Sequence, residues 1–180
     1  NTIYKSGDHI IGHNTDVAGF ELGLRHSKIN VLHKSILILG AGGVAPSIVY
    51  SLLSMGCKKI FLSNRTIEKA ENIKKKFNEV EVLKWGEIPD FDIVINATSV
   101  GLKGDILDVD LKTKDKIFYD IIYNPKETQF LKKAKENGNR IENGMYMFIY
   151  QANQSFSIWN NVIPKIDEEV LKILEWLQLV

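Results

Sequence analysis

A glycine cluster, Gly40-Ala41-Gly42-Gly43, follows the apolar run Ile36-Leu37-Ile38-Leu39 and precedes Val44, Ile48, Leu52 and Met55 at near-helical spacing. The chemistry such a cluster offers is anion binding. Gly40 allows a tight turn, and Gly42 has no side chain to hold a pyrophosphate away from the backbone. The helix that opens at Val44 then turns free N–H groups and the positive end of its dipole toward the anion. Ala45 occupies the third place of a G-x-G-x-x-G/A pattern, and Gly43 adds freedom. The stretch reads as the phosphate cradle of a dinucleotide site. The plain alternative is an ordinary strand-to-helix turn that happens to be glycine-rich.

A second cluster stands about 24 positions after Gly40, at the end of the apolar run Lys59–Ser63. An NAD site places an acidic residue on the ribose there, ~20 residues on. This chain has Asn64-Arg65-Thr66, with Lys69 one helical turn further. Asn64 cannot repel a phosphate, Arg65 presents a planar fork that suits one, and Lys69 adds a second positive charge. The pattern selects NADP over NAD. Thr66 also suits the cap of a helix over 67–77, with Arg65 simply solvated; the two readings use different groups and both can hold.

The elements that position these residues follow from periodicity. Two short strands, Thr2–Lys5 and His9–His13, flank a turn at Ser6-Gly7-Asp8. Asn14-Thr15-Asp16 leads into a helix with Val17, Phe20 and Leu24 on one face, and either Thr15 or Asp16 suits its cap. After the two clusters come Ile67, Ala70, Ile73 and Phe77 at helical spacing, then strands over 80–83, 91–96 and 116–120. The strand 91–96 runs into Ala97-Thr98-Ser99-Val100-Gly101. Pro125 begins or precedes a helix that Gly138 stops, and Arg140-Ile141-Glu142 suits a short last strand. A long helix carries Met145, Phe148, Ala152, Phe156 and Trp159 on one face, and a final helix runs from Asp167 to Leu177. Strands alternating with helices predict an α/β fold, a doubly wound parallel sheet with helices on both faces, whose ligands sit outside the carboxyl ends of the strands.

Bulk properties narrow the function classes. The chain has 180 residues, 44% hydrophobic and 25% charged, as in an ordinary globular domain. A net charge of +1 gives no reason to invoke nucleic acid or an anionic membrane. Cys57 is the single cysteine, so no disulfide forms within the chain, and a reducing, cytoplasmic compartment fits. No apolar stretch approaches the ~20 residues that span a bilayer, and no signal peptide is evident. His9 and His13 lie too far apart along a strand for a chelate, so no metal is expected. The first residue is Asn, within an expected strand, which suggests a piece of a longer protein.

Several stretches together resemble the shikimate dehydrogenases. Asn1-Thr2 resembles the end of the family's A-V-N-T, and Gly12-His13-Asn14-Thr15-Asp16 its G-x-N-T-D. Gly40–Gly43, Asn64-Arg65-Thr66, Asn96-Ala97-Thr98-Ser99, Asp120–Pro125, and Gly144-Met145-Tyr146-Met147 with Gln151 match in order and spacing, so the resemblance runs from Asn1 to Trp159. It implies a Rossmann-type domain and reduction of 3-dehydroshikimate to shikimate by NADPH. Residues 1–16 would link to an absent N-terminal substrate domain, and 17–180 would form the NADP domain, with C-terminal helices packing back toward the substrate domain. Asp16 would be the aspartate of a Lys–Asp catalytic pair whose lysine lies in the absent domain. Asn1 and Thr15 would bind substrate with Asp16, and Tyr123 and Gln151 would close on it. Arg65, Asn64, Thr66 and Lys69 would hold the 2′-phosphate, and Thr98 and Gly144 would lie along the cofactor near the nicotinamide. Tyr146 stands where the family has a smaller or ring residue, close to that same end. A quinate/shikimate dehydrogenase with relaxed cofactor choice, or a non-catalytic dinucleotide-binding module, are the alternatives.

Overall fold

The computed structural model describes residues 1–177, so the last three residues of the expected domain lie outside it. Two antiparallel strands, β1 (Thr2–Ser6) and β2 (His9–His13), form a hairpin sheet of their own in the register Thr2 opposite His13. The remaining strands form one parallel sheet: β3 (Ser35–Leu39), β4 (Lys59–Ser63), β5 (Val80–Leu83), β6 (Ile93–Asn96), β7 (Ile117–Asp120) and β8 (Arg140–Glu142). Their spatial order is β5-β4-β3-β6-β7-β8. The chain winds outward from β3 in one direction, then returns to β6 and winds the other way, so β3 and β6 flank the topological switch point.

Alternation within the strands divides the core. Ile36, Ile38, Ile60 and Leu62 face a cluster closed by α1 (Asp16–His26), α2 (Ala45–Ser54), α3 (Ile67–Lys74) and α5 (Met145–Asn160), while Leu37, Leu39, Phe61 and Val94 face the other side. That other side is covered by α4 (Gln129–Glu136) and by Leu107 and Leu111. The expected alternation of strand and helix fails at two crossovers. No helix lies between β5 and β6 or between β6 and β7, and the extended 107–111 segment shields the sheet where a helix would.

Helix α1 packs along α5 through Gly19 and Gly23, where an added Cβ would meet Gln151 Cβ at 2.6 Å and Met147 N at 2.9 Å. These glycines, unfavourable within an isolated helix, allow backbone approach. The apolar face expected of α5 is not the one it buries. Met145, Met147 and Ile149 enter the core, while Phe148, Ala152, Phe156 and Trp159 are exposed. Because α1 occupies the other side, the 3.6-period stripe is left largely uncovered by the described residues. Ile67 is likewise exposed, and α3 stops at Lys74 with only Ala70 and Ile73 buried. The last described helix, α6 (Glu168–Leu177), begins one residue later than expected, with Asp167 Oδ1 accepting from Val170 N at 3.1 Å.

Candidate functional site

A cavity of about 760 Å³ opens across the carboxyl ends of the strands at the switch point. Its walls are the glycine loop Gly40–Val44, then Asn64, Arg65, Lys69 and Trp85 on the β4–β5 side. Ala97–Val100, Leu102 and Ile121–Asn124 close the β6–β7 side. Gly40 has φ of +106°, and a Cβ there would sit 2.7 Å from Thr98 Cγ2, so β3 turns away from β6 only with glycine at this position. At Gly42 the nearest atom to a built Cβ is 3.8 Å away, and at Gly43 nothing lies within 4 Å. The fold itself does not forbid a side chain at these two; the open space does work only if something must reach the backbone. No hydrogen bond among the described residues uses the N–H groups of Gly42, Gly43 or Val44. These donors stand at the start of α2, where Pro46 lacks an N–H to begin with.

Asn64 ties the loop to the end of β4. Its Oδ1 accepts from Ala41 N at 3.0 Å and its Nδ2 donates to Thr66 O at 2.7 Å. An amide can do both at once, whereas a carboxylate could accept from Ala41 but not donate to Thr66. Thr66 holds an extended N-cap conformation without a side-chain cap bond, and it does not line the cavity. Arg65 and Lys69 do line it, both exposed and without an ion-pair partner among the described residues. Among the described residues, no carboxylate lines the cavity. The β4 side is therefore an uncompensated positive patch.

Beneath the β6–β7 side lies a buried polar lock. Asp120 Oδ1 accepts from Asn96 Nδ2 at 3.1 Å and from Ile122 N at 3.0 Å, and its Oδ2 accepts from Thr128 Oγ1 at 2.7 Å. Burial pushes the Asp120 carboxyl up to about 6, against the lowering effect of these three bonds. Asn96 Oδ1 in turn accepts from Thr98 N and Oγ1 at 3.1 and 2.7 Å, which fixes Thr98 at the cavity wall. The lock holds the chain where Tyr123 emerges. Tyr123 stacks on Phe148 of α5 with ring centroids 4.4 Å apart.

A second cluster joins the hairpin, α1 and α5. Asn1 Nδ2 donates to Asp16 Oδ1 at 2.7 Å and reaches Gln151 Oε1 at 3.5 Å. Asn1 Oδ1 accepts from Thr15 N at 2.9 Å and Thr15 Oγ1 at 3.2 Å, and Thr15 Oγ1 also lies 3.4 Å from Gln151 Oε1. Thr15 holds the N-cap position of α1 but makes no side-chain cap bond, and Asp16 is the first helical residue. The Asp16 N–H goes to Asn14 Oδ1 instead, at 3.0 Å, while Asn14 Nδ2 reaches Ser47 Oγ in the first turn of α2 at 2.8 Å. Both acidic and hydroxyl side chains are thus released from the backbone and turned toward Asn1 and Gln151.

Four of the five expected substrate residues therefore meet directly, and Tyr123 joins them through Phe148, one turn before Gln151 on α5. Of the expected cofactor residues, Gly40–Val44, Asn64, Arg65, Lys69 and Thr98 share one cavity. Gly144 does not line it. A Cβ on Gly144 would fall 1.9 Å from Ile121 O, so its smallness serves packing under the β7 end. Tyr146 also points elsewhere: it stacks on His26 of α1 at 3.9 Å and leaves the β7 end of the cavity clear. Sequence reasoning missed Ser155, whose hydroxyl bridges Thr2 Oγ1 at 2.6 Å and Thr15 Oγ1 at 3.1 Å, and whose place one turn after Gln151 was the available signal. It also missed Trp85.

A sequence model of the family described as Shikimate / quinate 5-dehydrogenase matches residues 23–118. A protein of Pelagibacter ubique named shikimate dehydrogenase (NADP(+)) is 52% identical over 97% of this chain and 67% of its own length. The crystal structure of a chorismate mutase/shikimate 5-dehydrogenase fusion protein from Clostridium acetobutylicum superposes with a TM-score of 0.86 at 34% identity, covering 98% of this chain and 66% of that one. A shikimate dehydrogenase solved in complex with NADP+ superposes at 0.83 with 36% identity, covering 99% of this chain and 66% of that one. The chain thus spans about two thirds of the length of these relatives.

Proposed function

The chain belongs to the shikimate / quinate 5-dehydrogenase family, and from that premise we propose that it forms the NADP-binding part, with one wall of the substrate site, of an NADPH-dependent shikimate dehydrogenase. The reaction is reduction of 3-dehydroshikimate to shikimate. The observation that carries the cofactor reading is the uncompensated pair Arg65 and Lys69 on the same cavity as the open N–H groups of Gly42, Gly43 and Val44. Two anion-binding sites at two places along one cleft fit a dinucleotide with a third phosphate.

The bound nicotinamide supplies the hydride when the cofactor is present. The chain's own residues supply position and polarity. Asn1, Thr15 and Gln151 offer a fixed set of amide and hydroxyl groups to a polyhydroxy acid, and their mutual bonds hold them in place beforehand. The Asp16 carboxylate, half-buried at the edge of that set, would stabilise the protonated form of a lysine supplied by the remaining third of the enzyme, the proton source for the carbonyl oxygen. Tyr123, held by Phe148, closes the cofactor end. The exposed face of α5, with Phe148, Phe156 and Trp159, and the hairpin tied to it by Trp159 Nε1 donating to Ile3 O at 2.9 Å, is the surface against which that remaining part packs. Residues 1–16 make the link. A cytoplasmic setting is supported by the single cysteine, Cys57, which stands free of any disulfide. No described helix is long and apolar enough to cross a membrane.

Calorimetry of Arg65→Ala tests this reading. Loss of a bidentate charge-assisted contact, on the order of 1.5–3 kcal/mol, weakens NADPH roughly ten- to a hundredfold and leaves NADH nearly unchanged. Equal affinity for the two cofactors in the unmutated chain would sink it. Arg65 and Lys69, in place of an acidic ribose ligand, favour NADP over the relaxed cofactor choice of the quinate reading.

A further inference from the structure

The cavity has a direction. Its middle is the glycine loop after β3, its β7 end carries Tyr123, and its β4 end carries Arg65 and Lys69. On the proposed reading, with the pyrophosphate at the loop and the 2′-phosphate at Arg65, the adenine must lie at the β4–β5 extreme, beyond the ribose. One aromatic side chain lines the cavity there. Trp85 follows the end of β5, and β5 pairs with β4 in the register Ser63 opposite Leu83, so the indole stands beside the Asn64–Lys69 segment. Ser63 Oγ reinforces that juncture by donating to Lys84 O at 3.1 Å. Trp85 is half-buried and packs against the core cluster that contains Leu37, Leu39 and Phe61. Its body is therefore fixed by packing while part of it remains on the cavity wall. A large, immobilised π-surface next to a phosphate-binding cation pair is the arrangement that holds a purine.

We propose that Trp85 is the adenine platform of this cofactor site, positioning the base by stacking while Arg65 and Lys69 hold the adjacent phosphate. The proposal rests on the NADP reading above and assigns its adenine end. Stacking is indifferent to the nicotinamide half, so Trp85 contributes equally to NADPH and to adenosine 2′,5′-bisphosphate. It also reports on binding directly, because a stacked purine quenches indole emission.

The test titrates NADPH and adenosine 2′,5′-bisphosphate into the 180-residue chain and into Trp85→Leu and Trp85→Phe, by calorimetry and by tryptophan emission. Trp85→Leu is expected to weaken both ligands by a common factor, roughly 5- to 100-fold. Trp85→Phe, which keeps an aromatic face, retains most of the affinity. Adenosine 2′,5′-bisphosphate quenches the unmutated chain and not Trp85→Phe, where Trp159 and Trp176 remain. A packing role alone would let Phe restore affinity but would give no quench of the unmutated chain by the bisphosphate, so the quench together with the rescue separates stacking from packing. Unmutated chain that binds NADPH, with Trp85→Leu binding it equally well and no quench by the bisphosphate, overturns the Trp85 assignment alone. Unmutated chain that binds neither ligand overturns it together with the NADP reading.

Discussion

At the strand ends, the N–H groups of Gly42, Gly43 and Val44 and the cations Arg65 and Lys69 have no partner among the described residues. Where the hairpin meets α1 and α5, each of Asn1, Thr15, Asp16, Gln151 and Ser155 is already bonded to at least one of the others. The difference follows from what each region has to hold. Open donors at the rim of a cleft remain hydrated and cost little, and an anion replaces that water with charge-assisted bonds. The hydroxyl face of a polyhydroxy acid offers no such gain. Its recognition needs groups held in place beforehand, so the wall orders itself and exchanges internal bonds for bonds to the ligand. One region is prepared by leaving bonds unmade, the other by making them.

The largest expected effect breaks this comparison at its single charge. In the complete enzyme, Asp16→Asn keeps an oxygen to accept from Asn1 Nδ2, so the wall stays assembled and the melting temperature moves little. The carboxylate is lost, and with it the stabilisation of a protonated partner. Turnover falls by about 10²- to 10⁴-fold, the range of general acid–base assistance. Turnover near the parent's, with a lowered melting temperature, would make Asp16 a structural member of the wall and nothing more.

These two regions were unequally legible in the sequence. The cradle is local: a strand, a turn and a helix within Ser35–Ser54 suffice, and Gly40 and Gly42 announce it by type. Arg65 was readable as its counterpart because parallel strands bring successive carboxyl ends together. The wall joins Asn1, Thr15 and Gln151 across nearly the whole chain, and no periodicity reports such a meeting; only the resemblance placed them. The stripe on α5 misled for a related reason. Helical spacing of Phe148, Ala152, Phe156 and Trp159 shows that a face wants covering, but not whether the cover belongs to this chain. Motif spacing puts Gly144 and Tyr146 near the nicotinamide end, but spacing carries no sign of the Ile121 carbonyl that Gly144 packs against or of the His26 ring that Tyr146 stacks on. Trp85 lies in a loop where type alone carries no position.

A smaller effect sharpens the comparison where the two regions share a floor. Asp120 braces Asn96 and Thr98 on the cradle side and Ile122, beside Tyr123, on the other. Burial disfavours the charge and pushes the Asp120 carboxyl in the folded chain up to about 6 from the ordinary value near 3.8. The proton is thus held more tightly folded than unfolded. Its stabilising contribution is complete below the unfolded value and is lost as pH rises through about 6. Urea denaturation of the parent and of Asp120→Asn, which cannot ionise, isolates this group from other carboxylates. Between pH 4 and 7 the parent should lose stability relative to the variant by on the order of 2–3 kcal/mol. A difference that stays flat with pH would mean that the bonds from Thr128, Ile122 and Asn96 fully offset burial.

The smallest effect lies next door on β7 and touches neither region. Tyr119 is fully buried in the cluster on the α1 side, its ring edge-on to Phe20 at 5.5 Å, and its hydroxyl has no hydrogen-bond partner among the described residues. Ionisation offers no relief, because burial and the nearby carboxylates of Glu142 and Asp120 push the phenol upward. The hydroxyl has left water and received nothing in return. Tyr119→Phe removes it while keeping the ring against Phe20, so stability should rise by about 1 kcal/mol, raising the melting temperature by roughly 2–4 °C. NADPH affinity should not change, since the cavity lies at the strand ends and Tyr119 does not line it. A fall in melting temperature would reveal that the hydroxyl is satisfied in solution, through water shared with Ser27 or Glu142. A change in NADPH affinity would show instead that the cradle and the α1–α5 wall are coupled through the core beneath them, and that the two are not prepared independently.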